Sequence, residues 1–358
     1  MVNYIGRKIL YGLLVFWGVI TLIFFLFKVL PGDPARMMLG QRADIASVEA
    51  IQKELGLDRP LYAQYFNYIN DISFISVYKH SDEKSFFYLD PEKYTYGKLL
   101  TVGDKSIVIK YPYLGRSFQS GRRVSDILAE AFPLTLLLAS VSIMFAMLLG
   151  VFLGVLISLR PHGWLSKAVI GFSSIGVALP SFFAAVLIAW IFAYLLGEYT
   201  GLNMTGSLKE VDDFGRGEYI QLKNLILPAV TLGIRPLAIV VQLTRSSLLN
   251  VLSQDYIRTA KAKGLSVYRV VTRHALKNAM NPVITAISGW FASLLAGAVF
   301  VEYVFDWKGI GVVIVESLEH YDFPVIMGSV LLISVMLVII NIIVDILYGV
   351  IDPRVRLS

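Results

Sequence analysis

Six apolar runs divide this chain, and short charged stretches separate most of them. They extend from Ile9 to Val29, Leu134 to Leu159, Ala168 to Leu196, Leu225 to Leu249, Val283 to Val301 and Val325 to Val350. Each is about the length a helix needs to cross the hydrocarbon layer, so the pattern predicts an all-α polytopic membrane protein. The charges between the runs set the orientation, because Lys and Arg are retained on the cytoplasmic side. Arg7 and Lys8 precede the first run, Arg160, His162 and Lys167 follow the second, and Arg354 and Arg356 follow the last. Glu198, Glu210, Asp212, Asp213 and Glu218 follow the third, and Glu302, Asp306, Glu316, Glu319 and Asp322 follow the fifth against Lys308 alone. Six spans with both termini inside make every loop obey the charge rule, and registers of five or seven do not.

Residues 1–30 then form the N-terminus and first span, 31–132 an external region, and 133–358 a five-helix core with a cytoplasmic segment over 250–282. Leu30-Pro31-Gly32-Asp33-Pro34 stops the first helix. Ser47 to Gly56 reads as a short helix with Ser47 as its N-cap, although Ala50 stands where a capping box places an acid. Leu99–Val102 and Ser106–Tyr111 flank Gly103-Asp104 as a β-hairpin. Gly150 and Gly154 form a small-xxx-small packing face, and Gly176 and Pro180-Ser181 interrupt the third span with a kink. A composition of 56% hydrophobic and 16% charged residues with a mean hydropathy of +0.67 excludes an ordinary soluble domain. The absence of cysteine excludes disulfide and thiolate chemistry.

Asp255 to Pro282 departs from the apolar pattern. It reads as two short amphipathic helices broken at Gly264, with Ile257, Ala260 and Ala262 apolar before the break and Val267, Val270, Val271, His274, Ala275 and Asn278 at helical spacing after it. Arg258, Lys261, Lys263, Arg269, Arg273 and Lys277 face only Asp255 as an acid. A simple loop needs no such construction, which points to a docking element. Arg258-Thr259-Ala260-Lys261-Ala262-Lys263-Gly264-Leu265, followed by His274-Ala275-Leu276, resembles the coupling signature of ABC importer permeases in the variant of dipeptide and oligopeptide systems. Arg258 stands where the general signature has Glu, and Lys277 where many relatives have Pro, both habits of the peptide subfamily. Gly56-Leu57-Asp58-Arg59-Pro60-Leu61, Tyr113-Leu114-Gly115-Arg116-Ser117, Leu243-Thr244-Arg245-Ser246-Ser247, Tyr321-Asp322-Phe323-Pro324 and Asp352-Pro353-Arg354 also resemble that family. So does Phe305-Asp306-Trp307-Lys308-Gly309-Ile310-Gly311, with Lys308 for the usual Pro. Residues of about 73–112, rich in aromatics, resemble nothing in it and read as an insertion, either a surface decoration or a docking site for a binding protein.

The resemblance implies a type I permease fold in a bacterial cytoplasmic membrane, in contact with membrane lipid and not with nucleic acid. It implies a homologous second permease, two cytoplasmic ABC ATPases that carry the ATP and Mg, and an external substrate-binding protein. The coupling segment would sit in a cleft on the ATPase and transmit its closure. The chain itself carries no G-x-x-x-x-G-K-[ST] loop, no H-E-x-x-H and no G-x-S-x-G, so no catalytic residue, metal ligand or cofactor is assigned to it. Glu319-His320-Tyr321-Asp322 is a weak metal candidate. An ion-coupled secondary transporter or channel acting without an ATPase is the alternative, but it would want charged relays in several spans and an inverted repeat. Arg235 is the deepest charge, with Asn341 and Asp345 near the inner end of the sixth span. Arg235 is read either as a structural arginine satisfying carbonyls freed by Pro236 or as a pathway cation for a substrate carboxylate. Pro180 and Ser181 join it as candidate pathway residues, and Asn341 with Asp345 reads as interhelical hydrogen bonding.

Overall fold

The computed structural model describes residues 2–29, 45–54, 57–79, 88–89, 94–103, 105–212 and 217–351. The Leu30–Pro34 stop, the Asp352–Arg354 close, Gly56, Asp104 and Asp213 lie outside them. In chain order the elements are α1 (Val2–Val29), α2 (Ile45–Glu54), α3 (Leu61–Ile72), β1 (Ile75–Lys79), β2 (Tyr96–Val102), β3 (Lys105–Lys110) and α4 (Val124–Leu159). Then follow α5 (Trp164–Ala178), α6 (Ser181–Ile188) with a π-helical continuation Ala189–Leu195, α7 (Gly197–Thr200), the hairpin β4 (Lys209–Val211) and β5 (Glu218–Ile220), and α8 (Lys223–Leu252). The remainder is α9 (Asp255–Ala262), α10 (Val267–Arg269), π-helical Val270–Ala275, α11 (Leu276–Ala279), α12 (Asn281–Gly297), α13 (Val299–Phe305), α14 (Ile310–Glu319) and α15 (Phe323–Ile351).

Among the described residues four helices are long and apolar enough to cross a membrane, within α1, α4, α8 and α15. Two bent pairs, α5 with α6 and its continuation, and α12 with α13, raise the number to six if each pair is one span. The first pair bends by 115°, far more than a kink. Leu179 and Pro180 are both extended there (ψ 132° and 138°), because proline drives the residue before it out of the helical region. Helices also run past the apolar windows that announced them. At roughly 1.5 Å per residue, the 36 residues of α4 exceed the bilayer core by several turns, so its first ten precede the span. α2 starts at Ile45, so Ser47 lies inside the helix rather than at its N-cap.

The chain forms two compact units. The first comprises Met1–Leu10, Ala131–Val315 and Val335–Ser358. Its centre is α8, whose span is 61% buried against 28% for α4 and for α15. Close approach explains the glycines where α4 and α8 meet. A Cβ at Gly150 would lie 2.8 Å from Val240 Cγ1, one at Gly154 2.6 Å from Thr244 Cβ, and one at Gly233 2.8 Å from the Ser142 carbonyl. The small-residue face expected of Gly150 and Gly154 therefore packs on α8, where contact at van der Waals distance is the main attraction available between helices in lipid. Leu138, Ala185, Leu227, Leu295, Val301, Phe305 and Trp307 complete this core.

The second unit comprises Tyr11–Glu130 and Glu316–Ser334. Ile20 and Ile23 of α1 pack with Ile72 of α3 and Leu331 of α15, and Thr21 Oγ1 lies 2.6 Å from the Tyr65 hydroxyl. The expected hairpin is present, and β1 adds a third strand on its far side, giving the antiparallel order β1-β3-β2. Ile75 pairs with Ile109 and Val77 with Ile107, while the β2 register shifts between Lys98 and Leu100. Tyr78, Tyr94 and Val108 are buried on one face. Lys110 is buried with them because its Nζ donates to the Asp71 carbonyl at 2.5 Å and lies 4.9 Å over the Tyr94 ring. Tyr94 donates its hydroxyl to Asp71 Oδ1. Burial, with the Asp71 charge beside it, pushes that phenol above its ordinary range. Ile75, Val77, Leu100 and Ile109 are exposed on the other face.

Candidate functional site

The segment after α8 folds back on itself. Ile257 and Ala260 of α9 are buried with Leu248 of α8 and with Val270, Val271, Ala275 and Ala279, and Val155 and Leu265 close the edge. α9 ends in a Schellman turn: the Leu265 N–H donates to the Ala260 carbonyl at 3.3 Å and the Gly264 N–H to Lys261 at 2.9 Å. Gly264 takes φ +79°, while a Cβ there would meet nothing within 4 Å. Conformation alone requires the glycine. Asn278 Nδ2 donates to the Tyr256 hydroxyl at 2.9 Å and ties the two arms together.

The second arm differs from a regular α-helix. Through Val270–Ala275 the bonding is π-helical, with the Leu276 N–H donating to the Val271 carbonyl. The wider turn rotates the inward face onto Val270, Val271, Ala275 and Ala279. Val267 and Asn278, expected on that face, are exposed, and His274 and Leu276 are half-buried. Ala262, also expected on the apolar side of α9, is exposed like Thr259. Arg258, Lys261, Lys263, Arg269, Arg273 and Lys277 all lie in solvent with the exposed Tyr268 and Val267. The ion pair of Arg258 with Asp255, at 3.4 Å, joins two exposed groups and neutralises little of the charge. The segment thus spends its own apolar side internally and turns a cationic surface outward.

Two acids of the stretch that follows the fifth apolar run are buried. Glu302 is fully buried: its Oε2 accepts the Gly311 N–H at 2.6 Å, and Thr135 Oγ1 beside it accepts the Ile310 N–H at 2.8 Å. The fully buried Trp307 donates its Nε1–H to the Leu134 carbonyl at 3.0 Å. Asp322 is buried as well, where its carboxylate accepts the Ser117 hydroxyl at 2.5 Å and the Phe118 N–H at 3.0 Å. Ser117 and Asp322 stand in two of the family-like motifs, and folding brings them together across 205 positions. Both acids hold turns in place. His320 is occupied locally, its Nδ1 lying 2.8 Å from the Glu316 carbonyl. Among the described residues no group of three or more His, Cys, Asp or Glu side chains is placed to hold a metal ion.

Arg235 lies in the middle of α8. Its Nε and Nη2 donate to the Val177 carbonyl at 3.4 and 3.3 Å. That carbonyl belongs to the end of α5, two residues before Leu179-Pro180, so the break at Pro180, and not Pro236, supplies the acceptor. The guanidinium remains exposed. An arginine at that depth facing lipid would cost at least about 2.5 kcal/mol. Pro180 is exposed and Ser181 half-buried at the head of α6. Asn341 is exposed.

Residues 146–357 match the family described as "Binding-protein-dependent transport system inner membrane component", and residues 1–85 match "Binding-prot-dependent transport system membrane comp, N-term". The glutathione transport system permease protein GsiC of Escherichia coli (strain K12) is 34% identical over 357 residues, covering 99% of each chain. The di/tripeptide transport system permease protein DppB of Pseudomonas aeruginosa (strain UCBPP-PA14) is 33% identical over 376 residues, again 99% of each. Among solved structures, an inward-facing form of the MetNI methionine ABC transporter superposes on 63% of this chain and 96% of its own with a TM-score of 0.51 at 17% identity, a likeness of fold. With matches of this extent, the chain belongs to the family of binding-protein-dependent transport system inner membrane components.

Proposed function

We propose that this chain is the permease subunit of an ATP-driven importer that carries short peptides across the bacterial cytoplasmic membrane. It would pair with a homologous second permease, two cytoplasmic ABC ATPases that hold ATP and Mg, and an external binding protein. The observation that carries the reading is the hinged, cation-faced segment from Asp255 to Ala279, most of whose apolar side is buried with Leu248 of α8 and Val155 of α4. What remains outward suits a protein cleft and not a bilayer surface, because an interfacial helix needs a free apolar face. In this reading Arg258 to Leu265 and His274 to Leu276 are pushed when the ATPases close, and the spans swing as rigid bodies between inward- and outward-facing states. N- and C-termini are then cytoplasmic, and the β1–β3 sheet lies outside, with its exposed apolar face available to the binding protein.

The glutathione and di/tripeptide cargoes named for the relatives favour a peptide of two or three residues. The test is purification of the complex, with ATP hydrolysis measured against the binding protein loaded with such peptides. Co-purification of a P-loop ATPase whose activity rises with loaded binding protein supports the reading. Uptake by the purified chain alone, without an ATPase, would overturn it in favour of an ion-coupled transporter.

A further inference from the structure

Arg235 carries its positive charge near the middle of the most enclosed of the four long helices, yet it remains exposed, and no ion pair among the described residues involves it. Its partner is a carbonyl, reached through two long hydrogen bonds. A guanidinium has five N–H donors in a planar fork suited to a carboxylate, and a single neutral oxygen leaves both the charge and most of that fork unanswered. Such a group does not face lipid; it faces water or an incoming polar molecule. The acceptor also matters. Val177 is the penultimate residue of α5, just before the 115° break at Leu179-Pro180, so Arg235 lies where the first bent pair opens its backbone. A carbonyl at a helix C-terminus carries partial negative charge and steadies a cation without neutralising it.

From this geometry we propose that Arg235 is a carboxylate-binding group of the translocation path, which engages the C-terminal or side-chain carboxylate of a short peptide as it passes. The proposal rests on the importer reading above. A purely structural role, capping the end of α5, is the competing explanation, and chemistry separates the two. Capping requires an N–H donor; attraction of a carboxylate requires positive charge.

The chain has no cysteine, so Arg235→Cys introduces a single thiol. The assembled complex with this substitution is reconstituted in liposomes with its binding protein and treated with membrane-impermeant methanethiosulfonates bearing either a trimethylammonium or a sulfonate group. Mass analysis of this chain reads the labelling, and uptake of trialanine reads the function. Expected are labelling from water, uptake reduced by at least about tenfold in the unlabelled variant, as for loss of one charge-assisted hydrogen bond, and recovery with the ammonium adduct alone. The quaternary ammonium has no N–H, so its rescue cannot come from restoring the bond to Val177. Labelling by neither reagent would overturn the proposal, as would unchanged uptake or equal uptake with both adducts. If the unsubstituted complex carries no trialanine, the short-peptide reading falls and the carboxylate assignment with it. The labelling measurement is independent of that outcome and decides water access by itself.

Discussion

At Gly264 a Cβ would meet no atom within 4 Å, whereas at Gly309 it would stand 2.4 Å from Glu302 Oε2 and 2.5 Å from Thr135 Oγ1. Both glycines lie in family-like motifs, but the physical demands are opposite. Gly264 supplies a left-handed turn in open space, with φ +79°. Gly309 and Gly311 supply absence of a side chain around a buried carboxylate, in a turn with no positive φ at either glycine. An element meant to be grasped by another protein leaves room around its hinge, while an element that holds its own subunit together fills every space. The contrast separates a glycine proposed to serve coupling from one that serves the fold, although both are equally motif-like on paper.

The largest effect is expected from Gly309→Ala. The neighbours are a carboxylate and a hydroxyl already committed to backbone N–H groups, so overpacking should destabilise by about 3 kcal/mol, read as a large fall in thermal stability of the purified complex. Glu302→Leu comes next, at about 1–3 kcal/mol, because it leaves the Gly311 N–H buried without an acceptor. Glu302→Gln keeps an oxygen for that bond and should cost clearly less; equal losses for Leu and Gln would mean that the Gly311 bond is not what matters. Gly264→Val should cost only about 1–2 kcal/mol, the left-handed penalty, while abolishing peptide uptake in a subunit that still inserts and assembles. Full uptake by that variant would remove the coupling role. The smallest effect belongs to Gly171→Ala, in α5 with nothing near its Cβ position. It should fall within about 0.5 kcal/mol of the unsubstituted protein by thermal unfolding. If Gly264→Ala destabilised as much as Gly309→Ala, the distinction between hinge and clasp would fail.

Some features were legible without coordinates and others were not. The long apolar runs, the Gly150–Gly154 face, the hairpin around Gly103 and the hinge at Gly264 each depend on neighbours in the chain or on one residue's own backbone. β1 escaped notice because Ile75–Lys79 is short and its partner Lys105–Lys110 lies some thirty positions away. The burial of Glu302 and Asp322 was not legible for a related reason. An acid in a string of acids reads as solvated, and only Gly311, Thr135 and Ser117, gathered around them by folding, make burial tolerable. The π-helical bonding of Val270–Ala275 rotated Val267 and Asn278 out of a face that a period of 3.6 had assigned to them.

What this chain's sequence determined by itself is therefore its solvent and its local geometry: which stretches are apolar enough for lipid, and where glycine or proline breaks a helix. These follow from transfer energies and dihedral limits that act residue by residue. Tertiary structure alone decided that Glu302 and Asp322 are anchors, that Arg235 rests on the Val177 carbonyl at a 115° break, and that the Asp255–Ala279 segment buries Ile257, Ala260, Val270 and Val271 with Leu248 of α8. A buried charge or a satisfied carbonyl depends on groups that arrive from elsewhere in the chain, and no local pattern records their arrival.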